Sequence, residues 1–285
     1  MAQHVTAPTI RAGKGGTPLV MVTAYDAPTA RIADDGGVDV ILVGDSVAMV
    51  VLGYDDTLQV TVADMAHHVG AVARARPRAL VVADLPWLSY HLSTDDAVRN
   101  AAVLVRAGAA AVKLEGGRAR IPVVTALVDA QIPVMGHLGL TPQSVHALGG
   151  YRVQGQQADA AADLLDDARA LAAAGCFAIV LECVPREVAG LITREVPVPT
   201  FGIGAGPDCD GQVLVLHDLL GLEDRIVPKF VRRYGALKND AVAAVAAYAS
   251  DVRARAFPAD AESYHLADDV AAALGVDRSA SSRTA

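Results

Sequence analysis

Acidic side chains close two apolar runs of this sequence. Asp45 follows the run VILVG, and Asp84 follows the run LVVA. Two carboxylates without an accompanying cluster of Cys and His suit a hard divalent cation such as Mg²⁺, which takes few protein ligands and keeps positions for water or substrate. Either aspartate alone could instead cap the backbone N–H groups of the loop that follows it. The pair therefore indicates a cation site and leaves a structural role open.

A lysine and two glutamates extend the acidic set. Lys113 and Glu115 stand two residues apart in AVKLEGG, so they share one face of a strand while Leu114 points to the other. Glu182 ends the run AIVLE, where a carboxylate beside apolar surface suits a general base, although it could equally pair with a lysine. The ionisable residues at the ends of apolar runs are Asp26, Asp45, Asp84, Lys113, Glu115, His137, Glu182 and Asp218.

These residues need elements that bring the ends of the runs together. Short apolar runs that end at glycine or a polar residue are typical of strands buried on both faces of a parallel sheet. Alanine-rich segments with helical spacing separate them, and eight strands alternating with helices predict a (β/α)₈ TIM barrel. The C-terminal ends of its strands would form the active-site face. The runs occupy residues 19–26, 39–46, 79–86, 110–117, 132–139, 177–184, 198–206 and 211–218.

The predicted helices carry recognisable starts and stops. Thr61 with Asp64 three residues later is a variant capping box, and Ser93 begins a helix that meets Gly108. A doubly wound open sheet is the alternative architecture, but it would need a glycine-rich phosphate loop after the first strand, where the sequence reads AYDAPTA. We expect helices over 61–75, 93–107, 158–174 and 185–195, one barrel domain over 1–266, and a poorly ordered C-terminal extension over 267–285.

Composition excludes several classes of protein. The 285 residues carry a net charge of −8, which argues against a nucleic-acid binder, and no apolar run approaches the roughly 20 residues that span a bilayer. The N-terminal segment has no apolar signal-peptide core. The three cysteines are odd in number and lack CxxC spacing, so we expect neither a disulfide framework nor a zinc site. A reduced, cytoplasmic location is the simplest interpretation.

A series of ordered motifs between about residues 18 and 260 resembles ketopantoate hydroxymethyltransferases. The resemblance implies a phosphoenolpyruvate/pyruvate-type (β/α)₈ barrel that transfers a hydroxymethyl group from 5,10-methylenetetrahydrofolate to 3-methyl-2-oxobutanoate, giving 2-dehydropantoate for pantothenate biosynthesis. It also implies one Mg²⁺ per subunit and a homodecamer built as a pentamer of dimers. The motifs include TAYD (23–26), LVGDS (42–46), ADLP (83–86), VKLEGG (112–117), GHLGLTPQSV (136–145), LECVP (181–185) and GIGAG (202–206).

The resemblance also implies roles for individual residues. Asp45 and Asp84 are similar to the metal ligands, and Glu115 to an outer partner that reaches the metal through water. Ser46 and Lys113 resemble the groups that hold the carboxylate and oxygen of the oxo acid, together with the two aspartates. His137 lies in the matching GHLG motif and would line the substrate site. Glu182 resembles the catalytic base.

Two other functions stay open on the sequence. A C–C lyase or mutase of the related isocitrate lyase/phosphoenolpyruvate mutase superfamily would carry a catalytic cysteine in a KKCGH-type loop, which this sequence lacks. A non-catalytic barrel that only binds folate or an oxo acid would be expected to have lost one of the acids at the strand ends, and none is lost.

Overall fold

The apolar runs form a closed parallel barrel in a computed structural model that describes residues 4–223, 225 and 227–276. Each strand pairs in parallel with the next one along the chain, and the last pairs with the first. The TIM-barrel prediction is therefore confirmed, and the open sheet is excluded. The strands are Leu19–Thr23 (β1), Val40–Val43 (β2), Leu80–Asp84 (β3), Ala111–Glu115 (β4), Val134–Gly139 (β5), Ala178–Glu182 (β6), Thr200–Ile203 (β7) and Gly211–Leu214 (β8).

Helices lie between the strands and follow the predicted caps. The side chain of Thr61 accepts a hydrogen bond from the backbone N–H of Asp64, and Ser93 does the same for Asp96, so both predicted starts are confirmed. The helices are Ala7–Ala12 (α1), Ala27–Asp35 (α2), Val47–Val50 (α3), Val62–Arg74 (α4), Thr94–Ala107 (α5), Ile121–Asp129 (α6), Val145–Leu148 (α7), Ala158–Ala173 (α8), Arg186–Glu195 (α9), Leu216–Leu220 (α10), Leu237–Ala254 (α11) and Asp268–Ala273 (α12).

Alternating strand residues build two separate apolar cores. Val40 and Leu42 belong to a core inside the barrel, whereas Ile41 and Val43 belong to the core between the strands and the helices. Ile10 of α1 joins the inner core and is buried there. The backbone N–H of the nearby Val5 bonds the carbonyl of Arg78, just before β3 begins, so α1 closes the N-terminal end of the barrel. The mouth therefore lies at the C-terminal ends of the strands.

The strand register aligns the charged residues at that mouth. Asp84 on β3 is the Cα partner of Lys113 on β4, and Glu115 is the partner of His137 on β5. Lys113 and Glu115 share the inner face with Ala111, which belongs to the inner core, while Leu114 belongs to the outer core, as the two-residue spacing predicts. Because Lys113 and Glu115 are two residues apart on one strand, both side chains point to the interior of the barrel.

The chain divides into two compact units at residues 234 and 235. The second unit begins at Gly235 and contains α11 and α12 in its described part. Residues from 277 onward lie outside the described residues, so the predicted disorder of the extension stays a prediction. The prediction of one domain over 1–266 stays a prediction. Within the described residues, no helix combines the length and apolar character needed to cross a bilayer.

Candidate active site

The barrel mouth holds a cluster of buried charged side chains. The strand period turns Asp84, Lys113, Glu115 and His137 into the interior, and the turn after β2 adds Asp45. Each of these residues is at most 4% exposed. The Glu182 carboxylate lies at the edge of the cluster, with its side chain 17% exposed. The site residues predicted from the sequence therefore come together at one place, where the cost of burying charge governs their chemistry.

Asp45, Asp84 and Lys113 form the centre of the cluster. Lys113 Nζ lies 2.6 Å from Asp84 Oδ1, and Asp84 Oδ2 accepts a hydrogen bond of 3.1 Å from the backbone N–H of Asp45. Burial, followed by the charges of Asp84 and Glu115, raises the pKa of Asp45 well above its usual range. Burial opposes the charge on Lys113, but the surrounding carboxylates outweigh it and raise the pKa of the lysine, which stays protonated.

His137 connects the centre of the cluster to Glu182. Its Nδ1 lies 3.2 Å from Lys113 Nζ and 3.4 Å from Glu115 Oε1, and its Nε2 lies 3.2 Å from Glu182 Oε2. Burial and Lys113 oppose protonation of the ring, yet its contacts with the two glutamates raise the pKa of His137 to about 9. A cationic imidazole at neutral pH therefore stands between two carboxylates and orients Glu182.

Ser46 lies beside the cluster. Its Oγ is 2.9 Å from the hydroxyl of Tyr25, which is buried just after β1. A Cβ built on Gly44 would lie 2.8 Å from Ser46 Oγ and 3.4 Å from Asp84 Oδ2. Glycine at this position thus lets the side chains of Ser46 and Asp84 lie close to the backbone of the turn after β2.

The donor set fits a divalent cation. Four carboxyl groups, those of Asp45, Asp84, Glu115 and Glu182, lie with two positive side chains, Lys113 and His137, so the acidic groups outnumber the basic ones by two. The raised pKa of Asp45 reflects this crowding, and a bound cation would favour the ionised form. Among the described residues, no three His, Cys, Asp or Glu side chains are arranged as ligands of a complete metal site. Mg²⁺ suits such a place because it binds through one or two carboxylates and completes its octahedron with water and substrate oxygens.

Sequence reasoning missed two residues that tie the acids together. Gln143 donates from Nε2 to Asp45 Oδ2 at 2.8 Å, and its backbone N–H donates to Glu115 Oε2 at 3.0 Å. The Tyr90 hydroxyl donates to Gln143 Oε1 at 2.7 Å. Gln143 lies inside the GHLGLTPQSV motif and is the polar residue of its turn, a usable signal, whereas nothing in its sequence context distinguishes Tyr90.

Other candidate residues lie outside the cluster. Asp26 is the N-cap of α2, where it forms a capping box with Thr29, so the structural alternative holds at this position. Asp218 lies in the first turn of α10. Burial and the Glu182 charge raise the pKa of Cys183 to about 11, which keeps it a thiol and gives no support to a nucleophilic role. Its backbone has a φ of 48°, an uncommon left-handed conformation directly after Glu182.

Known proteins resemble this chain over most of its length. The sequence profile of the ketopantoate hydroxymethyltransferase family matches residues 4–260. The chain belongs to this family. The 3-methyl-2-oxobutanoate hydroxymethyltransferase of Oleidesulfovibrio alaskensis is 58% identical over 93% of this chain and 92% of its own. The enzyme of the same name from Moorella thermoacetica is 58% identical over 93% of this chain and 100% of its own. The ketopantoate hydroxymethyltransferase resemblance seen in the sequence is thereby confirmed.

Solved structures with the same fold come from another group of barrels. The phosphoenolpyruvate phosphomutase of Streptomyces platensis subsp. rosaceus has a TM-score of 0.60 at 16% identity, with 95% of each chain covered. A 2,3-dimethylmalate lyase of the phosphoenolpyruvate mutase/isocitrate lyase superfamily has a TM-score of 0.58 at 19% identity, with 94% of each covered. These likenesses show the barrel fold alone and carry no argument about the reaction of this ketopantoate hydroxymethyltransferase family member.

Asp218 offers a test of buried charge away from the cluster. Burial, followed by the charge of Glu223, raises the pKa of Asp218 to about 6, against the opposing effect of Arg233. Because the unfolded value is about 3.9, stability is lost as the pH rises from about 4 through 6. We expect Asp218→Asn to raise the free energy of unfolding at pH 7.5 by about 1 kcal/mol, a value reduced for partial solvent exposure, and by only about a third of that near pH 4.5.

Urea unfolding at the two pH values measures this difference. The control is Asp208→Asn, which removes the surface ion pair of Asp208 with Arg186, whose charged atoms lie 3.0 Å apart. This variant should give no comparable gain in the free energy of unfolding at pH 7.5. An equal gain for Asp218→Asn at both pH values would contradict the assignment.

Proposed function

We propose that this chain transfers a hydroxymethyl group from 5,10-methylenetetrahydrofolate to 3-methyl-2-oxobutanoate and releases 2-dehydropantoate, with Mg²⁺ as cofactor. The curated relatives named for this transfer cover nearly the whole chain. The observation that carries the proposal is the buried acid-rich cluster, in which Lys113 and a more exposed Glu182 lie on either side of His137. That set contains what the reaction needs, namely ligands for a cation, a positive charge and a separate base.

Asp45 and Asp84 would hold the cation directly, and Glu115 would reach it through water. When bound, Mg²⁺ supplies Lewis-acid polarisation of the keto group, which makes the proton on C3 of the oxo acid more acidic. Ser46, beside the cluster, would donate to the substrate carboxylate. Lys113 would stabilise the negative charge that develops on the keto oxygen when the proton leaves, because it is buried, protonated and already aimed at Asp84.

Glu182 is the base in this proposal. It is the most exposed carboxylate of the cluster, at the edge where substrate would enter, and His137 orients it from 3.2 Å. The C3 proton passes to Glu182, and C3 then forms a bond with the methylene carbon of the folate. Both bonds from that carbon to the N5 and N10 nitrogens of the folate break, and the hydroxyl of a water molecule completes the new hydroxymethyl group. The C3 proton and the remaining water proton pass to the two nitrogens, so tetrahydrofolate leaves as the second product.

The family resemblance supports two further parts of the proposal. We propose a cytoplasmic homo-oligomer, a decamer of five dimers, that acts on small molecules and binds neither nucleic acid nor membrane. The net charge of −8 and the free state of Cys176, Cys183 and Cys209 agree with this location.

The direct test is product formation. Purified protein is mixed with 5,10-methylenetetrahydrofolate, 3-methyl-2-oxobutanoate and Mg²⁺, and 2-dehydropantoate is measured by mass spectrometry. We expect turnover that requires all three additions and stops when EDTA removes the metal. Failure to form 2-dehydropantoate with protein shown to be folded by circular dichroism would refute the proposed reaction.

Glu182→Gln separates proton removal from substrate binding. The amide keeps the size of the side chain but cannot accept the C3 proton, so we expect exchange of that proton in deuterated water to fall by about 100-fold or more. Exchange is followed by NMR with 3-methyl-2-oxobutanoate and Mg²⁺, without folate. Glu187→Gln on α9 is the matched surface control and should exchange at the wild-type rate. Unchanged exchange in Glu182→Gln would contradict the role of the base.

Asp84→Asn tests the cation site. Losing one charged ligand should weaken Mg²⁺ activation by about 10-fold or more, corresponding to about 1.4 kcal/mol. The same loss should appear in direct binding of Mn²⁺ measured by electron paramagnetic resonance. Asp208→Asn, on the surface, should bind the ion as the wild-type protein does. Wild-type Mn²⁺ affinity in Asp84→Asn would remove Asp84 from the ligand set.

A further inference from the structure

Gln143 connects two acidic residues that come from different strands. Its side chain is buried, with only 5% of the residue exposed, and lies in the turn between β5 and α7. One hydrogen of its Nε2 goes to Asp45 Oδ2 at 2.8 Å, and the other goes to the carbonyl oxygen of Leu85 at 2.9 Å. Its backbone N–H holds Glu115 Oε2 at 3.0 Å. One residue therefore fixes both carboxylates.

Tyr90 fixes the orientation of the Gln143 amide. The tyrosine hydroxyl accepts a hydrogen bond from the backbone N–H of Glu115 at 3.2 Å and donates its own hydrogen to Gln143 Oε1 at 2.7 Å. Both amide hydrogens have acceptors, so rotating the amide by 180° would turn its oxygen towards Asp45 Oδ2 and the Leu85 carbonyl and break both of those contacts. The hydrogen bonds thus run in one direction, from Glu115 through Tyr90 and Gln143 to Asp45.

The neutrality of the amide matters for a cation site. A lysine or arginine beside Asp45 would cancel the negative charge that attracts a divalent ion. The amide holds Oδ2 in place without adding charge, and the cluster already contains Lys113 against Asp84. An oriented carboxyl group that a bound cation can hold in its ionised form is what a cation ligand requires, because partners in the outer shell set the geometry of the ligands.

We propose that Gln143 is a positioning residue for the cation ligand Asp45, and that Tyr90 acts through Gln143 by fixing its amide. This inference rests on the proposed function, since it assigns the amide to the same Mg²⁺ site. It predicts that both side chains affect cation affinity even though neither carries charge.

The test is a double-mutant cycle read by Mn²⁺ binding. Electron paramagnetic resonance gives the affinity of the free protein for Mn²⁺ without substrate, for Gln143→Leu, Tyr90→Phe and the double variant. We expect about 10-fold weaker binding for Gln143→Leu and about threefold for Tyr90→Phe. The double variant should bind no more weakly than Gln143→Leu alone, because Tyr90 acts through the residue already removed. Gln157→Leu, an exposed residue without a side-chain cap bond, is the matched control.

Each outcome has a defined meaning. Wild-type Mn²⁺ affinity in Gln143→Leu overturns the proposal, as do losses that add fully in the double variant. If Gln143→Leu does not fold, wild-type affinity in the milder Tyr90→Phe variant overturns it. A wild-type protein that binds no Mn²⁺ also overturns it. A wild-type protein that binds Mn²⁺ but forms no 2-dehydropantoate overturns only the proposed reaction, and the cycle is still read from Mn²⁺ binding.

Discussion

Charge buried inside a barrel must be compensated, and this constraint shapes the whole mouth of the molecule. Carboxylates removed from water are costly unless opposite charges or hydrogen-bond donors meet them. Lys113 forms an ion pair with Asp84, and His137 lies between Glu115 and Glu182. Gln143 donates hydrogen bonds to both Asp45 and Glu115. The carboxyl groups still outnumber the positive side chains, and the raised pKa of Asp45 reflects this crowding. A bound divalent cation would compensate the acidic groups, which makes the cluster a suitable place for one.

The barrel supplies the positions that this compensation needs. Neighbouring strands in register place Asp84 beside Lys113 and Glu115 beside His137, so opposite or complementary groups meet without long loops. The cluster therefore rests on strands, whose backbones are held on both sides, while the neutral donors of Gln143 and Tyr90 come from the connecting segments. Precise ligand placement requires side chains on rigid elements that such supporting hydrogen bonds hold in place.

The sequence predicts the barrel strands and most of the charged cluster, because successive strand residues point to opposite faces. The period of two places Lys113 and Glu115 on the inner face, and the apolar runs locate every barrel strand within a few residues. Prediction from the strand period fails where the backbone leaves the strand. Asp26 occupies a strand-end position like that of Asp84, yet the helix that follows recruits it as a cap. Gln143 and Tyr90 lie in connecting segments, where no period applies and partners are set by the packing of distant segments. The metal and catalytic roles stay predictions, since they concern ligands rather than folding.

The closure of the barrel by α1 has a kinetic consequence. With Ile10 packed into the inner core at the N-terminal end, a molecule that reaches the charged cluster enters and leaves by the same mouth. In the proposed reaction, the small oxo acid has to settle at the bottom before the bulky folate covers it. The new, longer acid can depart only after tetrahydrofolate has moved away. In that order of events, the first reactant to bind is the last product to leave.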